Sequence, residues 1–82
     1  MTREEVINIV NNFLVEEIEI EESLLKEEAL LKDDLNIDSL DFVDIVVIVE
    51  RNFKFKIKPE EMVNVKTLGA FYDYIVEKVA SM

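Results

Sequence analysis

An 82-residue chain that is half hydrophobic suits one domain, residues 1–82, with a single small core, and is too apolar for wholesale disorder. Nineteen acids against nine bases give a net charge of −10, which disfavours nucleic acid, whose phosphates reward Lys and Arg, and favours steered encounters with basic partners. With no cysteine and no histidine, the chain offers no disulfide, no thiolate or imidazole zinc site and no imidazole base. The longest apolar run, Ile45–Val49, is five residues, far short of a membrane span, and Met1-Thr-Arg-Glu-Glu lacks the apolar centre of a signal peptide. A cytoplasmic protein is expected. The charge is unevenly placed: Glu16 to Glu50 holds 13 acids opposed only by Lys26 and Lys32, whereas Arg51 to Lys58 holds four bases and no acid.

Thr2 and Glu5 have the spacing of a capping box, and Val6, Ile9, Val10, Phe13 and Leu14 follow at helical period, so a first helix is predicted from about Arg3 to Val15. Glu17–Glu22 alternates acids with Ile18 and Ile20 and reads as a connection. Ser23–Lys32, with Leu24, Leu25, Ala29, Leu30 and Leu31, reads as a partial helical turn over the core's open side. A second helix is predicted from Asp38 or Ser39 to about Arg51, although Ile45–Val49 by propensity favours a strand. Its expected inward stripe is Leu40, Val43, Val46 or Val47, and Ile48 or Val49, with Asp41 and Asp44 on an adjoining face.

Lys54-Phe-Lys-Ile-Lys58 alternates and predicts a short extended stretch. Pro59-Glu-Glu-Met-Val then opens a short helix, with Pro in the first turn and acids at the positive dipole end. Thr67 caps a last helix whose inward residues are expected to be Leu68, Phe71, Tyr72, Ile75 and Val79. One Gly and one Pro fit helices with short connections, and the predicted fold is all-α, a small four-helix bundle of three longer helices with a short one before the last.

The stretch Asp34-Leu-Asn-Ile-Asp-Ser-Leu-Asp-Phe-Val-Asp44 is the candidate site. Asp34, Asn36 and Asp38 alternate like the first ligands of a calcium loop. The sixth position, however, is Ser39 instead of Gly, and the twelfth is Ile45 instead of Glu. Starting at Asp33 places Leu35 and Ile37 at ligand positions, so no metal site is expected. Ser39 admits three readings. It is part of a helix cap with Asp38 and Asp41; or it is a hydrolytic nucleophile, which the missing histidine and the small domain oppose; or it accepts a phosphate-linked group, held near free amides at a helix N-terminus.

Asp33-Asp-Leu-Asn-Ile-Asp-Ser-Leu-Asp-Phe-Val43 resembles the acyl carrier protein signature, acid-acid-Leu-Gly-x-Asp-Ser-Leu-Asp-x-Val. The likeness continues through Glu50-Arg-Asn-Phe53, Ile57, Pro59-Glu-Glu, Thr67-Leu68 and Tyr74-Ile75, nearly the whole chain. The resemblance implies a four-helix carrier and no enzyme. Ser39 would bear a phosphopantetheine arm added from coenzyme A by a phosphopantetheinyl transferase. It further implies that Asp38, Leu40, Asp41, Asp44 and Glu50 meet partner enzymes with basic patches, and that Val43, Val46 and Val47 lie near an acyl-binding interior. The partners would be the transferase and acyl-transferring, condensing and modifying enzymes of fatty-acid, polyketide or related lipid biosynthesis, met by a monomer. Asp41 and Asp44 also fit a plain solvated face, and the three valines fit plain core.

The chain departs from the pattern at Asn36, where Gly is usual, at Val47, where Met is common, and at Arg51, Lys54, Lys56 and Lys58, where acids or mixed charges are usual. The basic run points to a dedicated pathway, or else it protects an extended edge. The sequence leaves two alternatives open. One is an aminoacyl, D-alanyl or peptidyl carrier, against which Asn-Ile-Asp-Ser stands in place of Gly-Gly-His/Asp-Ser; the other is an unmodified acidic adaptor for a basic protein.

Overall fold

In the computed structural model, which describes residues 1–81, four α-helices follow in order: α1 Arg3–Glu16, α2 Ser39–Phe53, α3 Pro59–Met62 and α4 Leu68–Ala80. A 3-10 turn at Glu22–Leu24 interrupts the long α1–α2 connection. The described residues contain no strand, only an isolated bridge between Leu30 and Thr67.

The helix starts form as their sequences predict. The Thr2 hydroxyl accepts from the Glu5 amide at 3.1 Å, and the Thr2 amide donates to the Glu5 carboxylate at 3.1 Å, completing the capping box of α1. The Thr67 hydroxyl accepts from the Ala70 amide at 3.2 Å and starts α4. Each cap satisfies an amide that the helix itself leaves without a partner.

α1 and α4 are the most closely packed helix pair. Val6, Val10, Phe13 and Leu14 of α1 are buried against Leu68, Phe71, Tyr72 and Ile75 of α4, while Val79 is only half-buried. Arg3 ties this pair to the connection: its Nε donates to Asp73 at 2.8 Å and its Nη2 donates to Glu27. The connection also hydrogen-bonds along the start of α4, with Gly69 N donating to Glu27 O, Leu68 N to Ala29 O and Leu31 N to Lys66 O, each at 2.9 Å. Only a small residue fits at Gly69, because a Cβ there would lie 3.0 Å from the Glu27 Cβ.

α2 is a helix despite its β-branched run, but its rotation differs from the expected stripe. The buried face is Ile45, Ile48, Val49 and Phe53, with Phe42 and Val46 half-buried. Leu40, Val43 and Val47 instead project outward, 79%, 59% and 50% exposed. Five consecutive β-branched residues carry no phase information, since any rotation buries two or three of them. Positions 45, 48, 49 and 53 form the stripe that also buries the Phe53 ring, and burial of one such side chain stabilises by roughly 1.5–3 kcal/mol.

The α2 helix ends on Lys54 in the left-handed region, φ 63°, with its amide donating to Glu50 O at 3.0 Å. From there exposure alternates as the sequence predicts: Ile57 is buried, Phe55 half-buried, and Lys54, Lys56 and Lys58 exposed. The Phe55 ring stands 6.5 Å from Phe53 and 6.3 Å from Tyr74.

Two outcomes follow from these contacts. Lys54→Gly removes the steric cost of a side chain in left-handed backbone and is expected to raise stability by about 0.5–1 kcal/mol in urea titrations. Glu61 accepts from the Tyr74 hydroxyl at 2.8 Å and pairs with Lys78 at 3.0 Å, which holds its carboxyl below the ordinary 4.5. A lowered carboxyl contributes stability that is present above 4.5 and lost as pH falls through its folded-state value. Wild type should therefore melt above Glu61→Gln at pH 7, with the difference narrowing as pH falls below 4.5.

Candidate functional site

The segment before α2 is fixed by its own backbone. Asp34 N and Leu35 N donate to Leu30 O at 2.9 and 3.0 Å, Ile37 N donates to Leu31 O at 3.0 Å, and the Asp34 carboxylate accepts from Leu30 N at 2.8 Å. Leu35 and Ile37 are buried on either side of Asn36, which turns through left-handed backbone at φ 57°. Asn tolerates that conformation where most side chains do not. Two buried anchors and one turn thus deliver Asp38 and Ser39 to the surface at a set position.

Asp38 is the N-cap of α2, its Oδ1 accepting from Asp41 N at 2.9 Å and its carbonyl from Phe42 N at 2.9 Å. Ser39 is the first helical residue, and its side chain is exposed. Capping is therefore the work of Asp38. Among the described residues the Ser39 hydroxyl has no hydrogen-bond partner, and no acceptor takes the Ser39 or Leu40 amide. An available hydroxyl beside two free amides at the positive end of a 15-residue helix suits a phosphate ester.

Ser39 also stands at the mouth of an open groove of about 1050 Å³. Lys32, Asp33, Asn36, Asp38 and Ser39 form its polar rim, and Leu31, Phe42, Ile45, Met62, Val65 and Phe71 line its apolar walls. Of the three valines expected near an interior, Val43 lies on the groove's edge and is mostly exposed. Val46 is half-buried against the core without lining the groove, and Val47 faces outward. Val47 is not interior, for the reason that sets the rotation of α2. The wall residues that sequence reasoning missed are chiefly Phe42 and Met62. Phe42 had a readable signal, because a residue three positions after Ser39 shares its helix face.

Asp38, Asp44 and Glu50 are exposed and Asp41 half-buried, and none of the four forms an ion pair among the described residues. Leu40, Val43 and Val47 rise between them at helical spacing, so the outer face of α2 is an apolar ridge flanked by acids.

Asp38→Ala is expected to destabilise the protein by about 1 kcal/mol, whereas Ser39→Ala leaves the cap in place and should shift the thermal midpoint little. Thermal unfolding of the two variants side by side checks the division of labour.

The family of the phosphopantetheine attachment site matches residues 8–75. The chain is 37% identical over 78 residues to the acyl carrier protein of Thermotoga maritima, covering 95% of this chain and 96% of that one. It is 36% identical over 75 residues to the acyl carrier protein of Coprothermobacter proteolyticus, covering 92% of each. The solved structure of an acyl carrier protein from Enterococcus faecalis superposes with a TM-score of 0.75 at 36% identity, over 94% of this chain and 98% of that one. An exposed helix-capped serine at the mouth of an apolar groove, in a chain matched from end to end by these relatives, places the protein in the acyl carrier protein family, whose cofactor is phosphopantetheine.

Proposed function

We propose that Ser39 is the attachment point of the phosphopantetheine arm and that the chain presents acyl groups in turn to enzymes of fatty-acid or related lipid biosynthesis. The observation that carries this reading is the Ser39 hydroxyl, exposed and without a partner on the first residue of α2, with the groove opening beside it. The attached arm supplies a terminal thiol, absent from a chain without cysteine, on which an acyl group is held as a thioester.

The chain's own residues do the rest. The Asp38 cap and the buried Leu35 and Ile37 hold Ser39 in one place, so a transferase meets a preformed helix start. Leu31, Phe42, Met62 and Val65 offer an aliphatic chain apolar walls to lie against. Their apolar character favours acyl cargo over aminoacyl cargo, whose ammonium group would lose hydration there. Admission of a chain is eased because α2 approaches the other helices less closely than α1 and α4 approach each other.

The outer face of α2 is the surface for catalytic partners. Asp38, Asp41, Asp44 and Glu50 raise encounter rates with basic patches, and Leu40, Val43 and Val47 supply the contact that desolvates on docking. Ion pairs at such an exposed surface contribute only about 0.2–1 kcal/mol each, which suits a carrier that must leave each enzyme. No helix among the described residues is long and apolar enough to cross a membrane, and a cytoplasmic setting with soluble partners is part of this proposal.

Intact mass before and after incubation with coenzyme A and a broad-specificity phosphopantetheinyl transferase tests the assignment. Wild type is expected to gain one phosphopantetheine, and Ser39→Ala none. Folded wild-type protein that gains nothing, having carried no modification at the start, would return Ser39 to a surface residue and favour the unmodified adaptor.

A further inference from the structure

The basic run that begins in the last turn of α2 and continues past its end takes no part in the site described above. Arg51, Lys54, Lys56 and Lys58 are all exposed, with no acid between them in the sequence. Among the described residues none of the four forms an ion pair or donates a side-chain hydrogen bond, although Glu50, Glu60 and Glu61 are neighbours in the chain. The ion pairs that tie the fold together use Arg3 and Lys78 instead. In a chain of net charge −10, four cations close together in sequence make no contact ion pair, and only Lys58 lies near enough to an acid, Glu61, to help lower its carboxyl pKa.

The run is also held on a firm base. Ile57 is 2% exposed, Phe55 is wedged between Phe53 and Tyr74, and Lys58 N donates to the Tyr74 hydroxyl at 3.4 Å. The segment's apolar side chains therefore face the core and its cations face out, the three lysines spanning at most about 14 Å. They lie past the C-terminal end of a 15-residue helix about 22 Å long, whose other end carries Asp38 and Asp41.

We propose that Arg51, Lys54, Lys56 and Lys58 form a second docking surface, for an acidic patch on a protein partner. With Asp38, Asp41 and Asp44 along the first half of α2 and the cations beginning directly after Glu50, charge changes sign along the helix and makes docking directional. A partner that is basic opposite Asp38 and acidic opposite Lys56 is held in one orientation along the helix, and a partner that is basic along the whole length is repelled at the far end. A protein surface fits better than an anionic membrane. A membrane is uniformly negative and would meet the acids of α2 as well, and with Phe55 and Ile57 turned to the core the run has no apolar wedge to insert. The proposal rests on the carrier reading only in taking the partner to be an enzyme that handles the loaded chain.

The probe is a hexaglutamate peptide titrated into ¹⁵N-labelled protein at low salt, with the triple variant Lys54→Ala, Lys56→Ala, Lys58→Ala alongside. Saturable amide shifts confined to residues 51–58, suppressed by 0.3 M salt and weakened at least about fivefold in the variant, are expected. The variant's remaining spectrum and its rate of modification by the transferase should match wild type. Absence of saturable shifts in 51–58, or equal affinity in the variant, overturns the proposal. So does lysine-dependent co-sedimentation with 1:1 phosphatidylcholine–phosphatidylglycerol vesicles in place of peptide binding, which would make the surface a membrane contact. Failure of wild type to gain mass from the transferase is read separately, since it removes the carrier reading and leaves the titration to decide the surface.

Discussion

The rotation of α2 about its own axis is set by burial of Ile45, Ile48, Val49 and Phe53, and most of the protein's outward chemistry depends on that setting. With those four residues inward, Phe42 reaches the groove while Leu40, Val43 and Val47 are left in solvent among the acids. A turn of the helix by one residue would bury Asp44 in one direction or Glu50 in the other without a partner, at a penalty on the order of several kcal/mol for an uncompensated charge. The apolar ridge on the surface is thus the other side of the same packing decision that fills the core.

The second constraint is the connection from Glu17 to Asp38, which has little regular structure yet is held along its length. Its backbone bonds to the start of α4 through Glu27, Ala29 and Leu31, and Arg3 reaches across from α1 to Glu27 and Asp73. Leu35 and Ile37 then seat its last residues. Ser39 consequently sits on a frame built from three elements, although it belongs to only one. That arrangement sets the Ser39 hydroxyl next to a groove whose walls come mainly from α2, α3 and the connection, with Leu14 of α1 and Phe71 of α4 at its base.

Charge is organised on the same geometry. Most of the acids precede Glu50, and the densest cluster of bases follows it within eight residues. Because α2, at 15 residues and about 22 Å, is long relative to a molecule of 30 × 25 × 21 Å, this separation in sequence becomes a separation in space. The chain is acidic in total yet carries one well-defined basic end, a distinction that net charge alone conceals.

Much of this was legible in the residues themselves. Caps at Thr2, Asp38 and Thr67 and the apolar period of α1 and α4 are local signals, so the helices and their order, the short Pro59 helix and the exposed position of Ser39 follow from short-range chemistry. The alternation of Lys54 to Lys58 likewise anticipated which side chains turn inward. The phase of α2 was not legible, because Ile45–Val49 is apolar at every position and periodicity needs contrast. Only packing against the other helices decided which of those residues face the core, and hence that Val43 and Val47 lie outside it while Phe42 and Met62 line the groove. The groove itself has no counterpart in any single segment: its walls come from residues between Leu14 and Phe71, brought together by long-range contacts that local sequence does not encode.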